Sequence, residues 1–305
     1  MDRTRILFVF GQHGQSAGGR RKSASPKTKR FFRTAVHDFL KEEILENNGR
    51  VAVIHELVLE PVRKFSVKMD GSWRESISPR DVADAQQSAS SDVRVVLDSF
   101  DRGRAAGLVR RDFNGWFGYI DEVLAMNRRV PGSVKNHFEP NCPQAVYECL
   151  KADWMEKQIL KTVTRAVLMD RNAAIEEDNG ALATEMEMMR LVRSSVLRRD
   201  LEVRSLCESI KRGGFWQSIL VPRGLAHAGM VALFDAREFD ITVKKEEVGK
   251  EVEDADDVIK LYSTSATREG MMQRAATELR KLKSMILDIL KAQEFQKLKG
   301  KVSTG

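Results

Sequence analysis

The sequence predicts an α/β fold with a parallel or mixed central sheet, and three features carry that prediction. A short apolar run, Arg5-Ile6-Leu7-Phe8-Val9-Phe10, stops at Gly11, as a buried strand does. From Pro26 to about Asn47 the apolar residues Phe31, Phe32, Ala35, Val36, Phe39, Leu40 and Ile44 recur at helical spacing. A second apolar run, Arg50 to Leu59, then completes a βαβ start whose two strands are expected to lie parallel.

The elements follow in order. The first strand leads into a loop rich in glycine, serine and arginine. Asn47-Asn48-Gly49 ends the first helix, with glycine suited to the left-handed position. Residues 66–78 read as a loop or a hairpin around Asp70-Gly71, and residues 80–100 as a helix. Residues 101–142 carry Gly, Asn and Pro and give no clear period. Two long helical stretches, 143–178 and 181–212, are rich in Ala, Leu, Met and Glu. The α/β pattern resumes with a strand from Phe215 to Val221, a short helix from Gly224 to Phe234 and a strand from Phe239 to Val243. Glu246 to Asp257 holds seven acids and one lysine, an acidic linker before an amphipathic helix from about Thr267 to Lys297. The expected organisation is an N-terminal half of the core at 1–65, a mainly helical insertion at 66–212, a C-terminal half at 213–245, and linker plus C-terminal helix at 246–305.

Composition narrows the function classes. At 305 residues and 42% hydrophobic, the chain can close a sizeable core, which excludes a disordered or collagen-like protein. No apolar run approaches the roughly 20 residues of a membrane span. The five apolar residues before Gly11 are too few for a secretory signal, and the three cysteines form no CxxC, so a cytoplasmic location is expected. The net charge of +7 is local: residues 1–33 hold nine basic side chains and one acid, so the rest is near neutral. A basic segment at 20–33 suits an anionic ligand or partner, or a solvated loop.

Several motifs fail. In Gly14 to Lys22 the second glycine, Gly19, is followed by Arg20-Arg21 where a phosphate loop needs Lys-Ser/Thr, and no G-x-G-x-x-G follows the first strand. Ser16 cannot supply the carboxylate of an H-x-x-E zinc site. No G-x-S-x-G elbow occurs. Leu220-Val221-Pro222-Arg223-Gly224 spells most of a protease tag and reads as coincidence.

What remains is a set spread over strand ends. His13 follows the first strand, Glu56 sits on the second, and His227 follows the later strand in Gly224-Leu225-Ala226-His227. The carboxyl ends of parallel strands converge, so two imidazoles and a carboxylate are expected in one place, as an acid/base set or a metal shell. A carboxylate inside an apolar strand costs several kcal/mol unless partnered, which singles out Glu56. Alternation sends His55 to the opposite face from Glu56. His37 and His137 have no companion group and read as ordinary surface or packing residues.

Gly11-Gln12-His13, the strand-borne Glu56, Arg198-Arg199-Asp200 on a helix and the late Gly224-x-x-His227 together resemble the erythromycin esterase / ChaN-like / TraB–PrgY–Tiki superfamily. The resemblance touches residues 5–60 and 190–245. It departs at Gly11-Gln12-His13, one residue shorter than Gly-x-x-His, and at Arg198, where the family has Glu. It implies that His13 and His227 act as base or metal ligands, Glu56 as the site carboxylate and Arg199 as an anion anchor. A divalent ion, zinc or manganese, held by His13, Glu56 and His227 is the cofactor expected on that basis.

Two functions fit. One is a hydrolase acting on an ester, amide or lactone carbonyl of a small molecule or peptide, through the His/Glu site with or without a metal. The other is a non-catalytic protein that binds a haem-like ligand, or a regulator whose basic segment meets an acidic partner or nucleic acid.

Overall fold

Strand β1 (Thr4–Gly11) lies near the middle of a five-stranded, all-parallel sheet with order β3-β2-β4-β1-β5. The computed structural model describes residues 3–11, 25–56, 78–88, 90–104, 118–140, 142–246 and 268–302. The glycine-rich loop with His13, the Asp70-Gly71 segment and the acidic linker beyond Glu246 lie outside the described residues. The expected α/β class, the βαβ start and the long helices are all present.

Helix α1 (Pro26–Leu40) starts where Ser25 accepts the Thr28 amide at 3.0 Å, and Pro26 spends no needed N–H. It does not run on as a regular helix to Asn47. A π-helical turn, Lys41–Glu46, adds a residue per turn and closes with the Asn47 amide on the Glu42 carbonyl. Asn48, not Gly49, takes the left-handed conformation, with φ 52°. Gly49 is required for another reason, because a Cβ there would sit 2.9 Å from the Glu43 carbonyl oxygen. The π turn delivers Glu42 and Glu43 to Arg5, and Glu43 also accepts from the Ser218 hydroxyl at the amino end of the sheet.

Strand β2 (Val51–His55) is followed by α2 (Pro79–Ser88), α3 (Ser90–Asp101) and α4 (Ile120–Arg129). Strand β3 (Val134–Phe138) comes next and pairs with β2 in parallel, from Val51 beside Val134 to His55 beside Phe138. Both α4 and β3 fall in the stretch that gave no clear period, and β3 places His137 in the sheet. Helices α5 (Pro143–Met169) and α6 (Asn179–Gly213) precede β4 (Ser218–Gly224), a 3-10 segment Leu225–Leu233, and β5 (Phe239–Lys245). Helix α7 (Arg268–Val302) closes the chain.

The sheet is covered on both faces, as parallel sheets require. One face packs Leu7, Val9, Val51, Val53 and Leu220 against α1, α3 and α4. The other packs Ile6, Phe8, Phe10, Ala52, Ile54 and Val221 against Val203, Cys207 and Ile210 of α6 and the 3-10 segment. Each large apolar side chain removed from water contributes about 1.5–3 kcal/mol before conformational entropy is charged.

Two compact units divide the chain. The first joins Met1–Tyr147 to Ser195–Ser263 and contains the whole sheet; the second joins Glu148–Ser194 to Thr264–Gly305. Within the second, Ile159, Val163 and Val167 pack with Ile175, Ala181, Leu279 and Ile286 of the neighbouring segments. Burial, with Glu278 and Glu156 nearby, pushes Glu185 of this unit up to about 7. No helix among the described residues is long and apolar enough to cross a membrane.

Candidate active site

The parallel register brings the carboxyl ends of β2, β3 and β4 side by side, and each ends in a charged residue. Glu56 follows β2, Glu139 follows β3, and Arg223 is the penultimate residue of β4. The Glu139 amide donates to the His55 carbonyl at 3.0 Å, which locks the two acidic strand ends together. Period-two alternation turns His55 to one face and Glu56 to the other, as expected. Helix α6 crosses this second face, adding Arg199 and Asp200. The 3-10 segment after β4 adds His227.

These six side chains form one buried network. The Gly224 amide donates to Glu56 Oε2 at 2.8 Å, so the motif glycine holds the carboxylate by its backbone. Arg199 Nη2 reaches Glu56 Oε1 at 3.3 Å. The same guanidinium forks onto Glu139, with Nε at 2.6 Å from Oε1 and Nη2 at 2.9 Å from Oε2. Arg223 Nη2 lies 2.8 Å from Glu139 Oε2, without hydrogen-bond alignment. His227 Nε2 is 3.3 Å from Glu56 Oε1, and its Nδ1 is 2.6 Å from Asp200 Oδ1. Arg223 is fully buried, and Arg199, at 16% exposure, is the most accessible of the six side chains.

The charges can be counted. Three carboxylates, Glu56, Glu139 and Asp200, face two guanidiniums, Arg199 and Arg223. The raised pKa of His227 favours a third positive charge among these described residues. Nδ1 donates to Asp200, while Nε2 stands 3.3 Å from Glu56 Oε1 as an ion-pair contact without hydrogen-bond alignment. Burial by itself would push the His227 imidazole down, but Asp200 and Glu56 outweigh it and raise its pKa, against an opposing push from Arg223. The 3.5 Å approach of Arg223 Nη1 to Nδ1 is then a contact of two cations, not a hydrogen bond. Burial would likewise push the Glu139 carboxyl up, and the Arg199 and Arg223 guanidiniums hold it below the usual range.

Of the residues the sequence marks, the structure brings Glu56, His227 and Arg199 together. His13 lies outside the described residues. Glu139, Asp200 and Arg223 were missed, although two left a signal. Arg223 is a charge inside an apolar strand, the same sign that singled out Glu56, and it sat in the segment dismissed as a chance tag. Asp200 adjoins Arg199 in the quoted helix motif. Glu139 left none, because β3 itself was unreadable.

A metal shell of His13, Glu56 and His227 has two described donors. Glu56 Oε1 and His227 Nε2, 3.3 Å apart, match the roughly 3.4 Å between two ligands about 2.1 Å from a tetrahedral zinc. Among the described residues no group of three His, Cys, Asp or Glu side chains is placed to hold an ion.

Gly11 has a structural explanation. A Cβ there would overlap the Phe32 ring of α1, so packing alone demands glycine at the end of β1. The basic segment is also partly spoken for, since Arg33 pairs with Glu122 at 3.2 Å and with Asp121 at 3.6 Å. Buried Cys207 is an inert thiol, pushed up to about 12 by burial. No protein-family model, curated protein or solved structure matches the chain.

Proposed function

We propose that the protein is a hydrolase that cleaves an ester, amide or lactone carbonyl, with Glu56 and His227 as its proton-transfer groups. The observation that carries this reading is the Asp200–His227–Glu56 row at the carboxyl edge of the sheet, in which one imidazole stands 2.6 Å from the first carboxylate and 3.3 Å from the second. An imidazole oriented at Nδ1 by one carboxylate, with Nε2 beside a second, is placed for proton transfer.

The steps balance. Glu56 accepts a proton from water as the water oxygen bonds to the carbonyl carbon. Arg199, the most accessible cation of the network, steadies the oxyanion. The carbonyl reforms, the bond to the leaving oxygen or nitrogen breaks, and His227 gives that atom its proton. Glu56 then returns its own proton to His227 across the 3.3 Å contact. Asp200 keeps the ring oriented throughout. If a divalent ion were held by His13, Glu56 and His227, it would supply Lewis-acid activation of the water, and His227 would then have to be deprotonated at Nε2 and could not also be the proton donor.

The resemblance to the erythromycin esterase / ChaN-like / TraB–PrgY–Tiki superfamily supports the same choice of Glu56, Arg199 and His227, and zinc or manganese remains the metal it suggests. A second reading is favoured by burial: five of the six side chains are 5% exposed or less, Arg223 not at all, which suits a structural ion network in a ligand-binding protein. Axial haem binding by His227 would have to break a contact to Asp200 or Glu56.

Turnover of p-nitrophenyl acetate and of a simple lactone, with metal content measured on the same protein, separates these readings. Glu56→Gln and His227→Asn should each lower kcat/KM by about 100-fold or more. Wild-type protein without turnover, or variants that match it, would overturn the hydrolase.

A further inference from the structure

Glu139 takes the shortest contacts that both guanidiniums make in the network. Arg199 gives it Nε at 2.6 Å and Nη2 at 2.9 Å, while its Nη2 stands 3.3 Å from Glu56. Arg223 places Nη2 2.8 Å from the same carboxylate. We propose that Glu139 is the positioning residue of this centre, drawing Arg199 and Arg223 onto itself so that Arg199 offers Glu56 one edge and not a two-pronged clamp. Its catalytic consequence rests on the hydrolase reading; its geometric content does not.

The placement is built into the fold. Glu139 is the first residue beyond β3, its amide is tied to the His55 carbonyl, and its side chain is 2% exposed. It therefore cannot follow the arginines if they move. Guanidinium and carboxylate are planar and match as a bidentate pair, so Arg199 has one preferred fork to give. Glu139 receives it. Were Glu139 uncharged, the fork would swing to Glu56, the nearest remaining carboxylate among the described residues, and would occupy the oxygen that has to take a proton from water. Arg223, fully buried with no hydrogen-bond partner for Nε, would lose the carboxylate that neutralises it.

The test is a crystal structure of Glu139→Gln together with p-nitrophenyl acetate kinetics of wild type, Glu139→Gln and Glu139→Asp. Expected is an Arg199 guanidinium turned into a fork on Glu56, a fall in kcat of about 100-fold with KM unchanged, and partial recovery of kcat in Glu139→Asp. If Glu139→Gln does not fold, Glu139→Gln/Arg223→Gln removes one charge of each sign and should show the same swing of Arg199. An Arg199 that stays in place in either variant overturns the proposal, as does a rise in KM with kcat unchanged. A wild type without ester turnover would remove the hydrolase reading, and the position of Arg199 would still decide this one.

Discussion

Two histidines are buried at the carboxyl edge of this sheet, one on each face, and opposite neighbours give them opposite chemistry. His227 stands between two carboxylates, Asp200 and Glu56, and its pKa is raised in spite of burial. His55 stands between a phenol and an amide. Asn136 gives its Nδ2 to Asp101 Oδ1 at 2.9 Å, so its Oδ1 faces His55 Nε2, also at 2.9 Å. His55 must then donate from Nε2 and accept the Tyr119 hydroxyl at Nδ1, 3.1 Å away. Both nitrogens are satisfied by neutral groups, and burial lowers its pKa to about 4. Equal burial thus yields a cation on one face and a neutral ring on the other. The charge of the neighbours decides.

The largest expected effect comes from breaking the charged side. Asp200→Ala strands a buried cation at His227 Nδ1, and unpairing a buried ion pair costs about 3–5 kcal/mol. Denaturant unfolding at pH 7 should show a loss of that size. A loss under about 1 kcal/mol would mean that His227 is neutral in the folded protein.

Much of this comparison was legible in the sequence, and the rest was hidden for physical reasons. Strands β1 and β2 announce themselves because both faces of a parallel strand are buried, leaving unbroken apolar runs. Glu56 stood out against such a run. Strand β3 did not, because Lys135, Asn136 and His137 make it look like a loop. Those polar residues are stable in the sheet because Asp101 accepts from Lys135 and from both the backbone and side-chain N–H groups of Asn136. That partner, more than thirty residues away, leaves no local trace. Missing β3 meant missing Glu139, and with it the partner that holds Arg199. The π turn after α1 was equally silent, since periodicity reports which residues are apolar and not where one extra residue enters a turn.

Acid titration probes the neutral side, with an effect on the order of 3 kcal/mol. His55 binds its proton near 6.5 when unfolded and near 4 when folded, so its stabilisation is present above pH 6.5 and is lost as pH falls toward 4. His227 has the opposite sign: its contribution is complete below pH 6.5 and is lost as pH rises through its raised folded pKa. Unfolding free energies measured from pH 4 to 9 should therefore lose their acid slope in His55→Gln and their alkaline slope in His227→Gln. Should His55→Gln leave the acid slope intact, the opposed titration of the two rings is wrong.

A smaller loss, about 1–3 kcal/mol, is expected from Tyr119→Phe, which keeps the ring stacked on His55 and leaves Nδ1 buried without its donor. The readout that matters is specificity. Ester turnover should persist in Tyr119→Phe, because the hydroxyl serves the opposite face from Glu56. A loss of turnover as large as that of His227→Asn would join the two networks into one.

The smallest effect belongs to a third histidine and fixes what burial contributes. His37 on α1 also faces a carboxylate, Glu122 Oε2 at 3.0 Å, a contact of the same kind as that of His227 with Asp200. Its side chain is 52% exposed, so water solvates both partners and salt screens them. His37→Ala should change stability by less than about 0.5 kcal/mol, and raising the salt concentration should shrink even that. The same removal of a histidine–carboxylate contact in the buried network, by Asp200→Ala, is expected to cost several times more. If the two substitutions cost the same, proximity to a carboxylate would be enough by itself, and the dry, closed setting of the strand ends would explain nothing about His227.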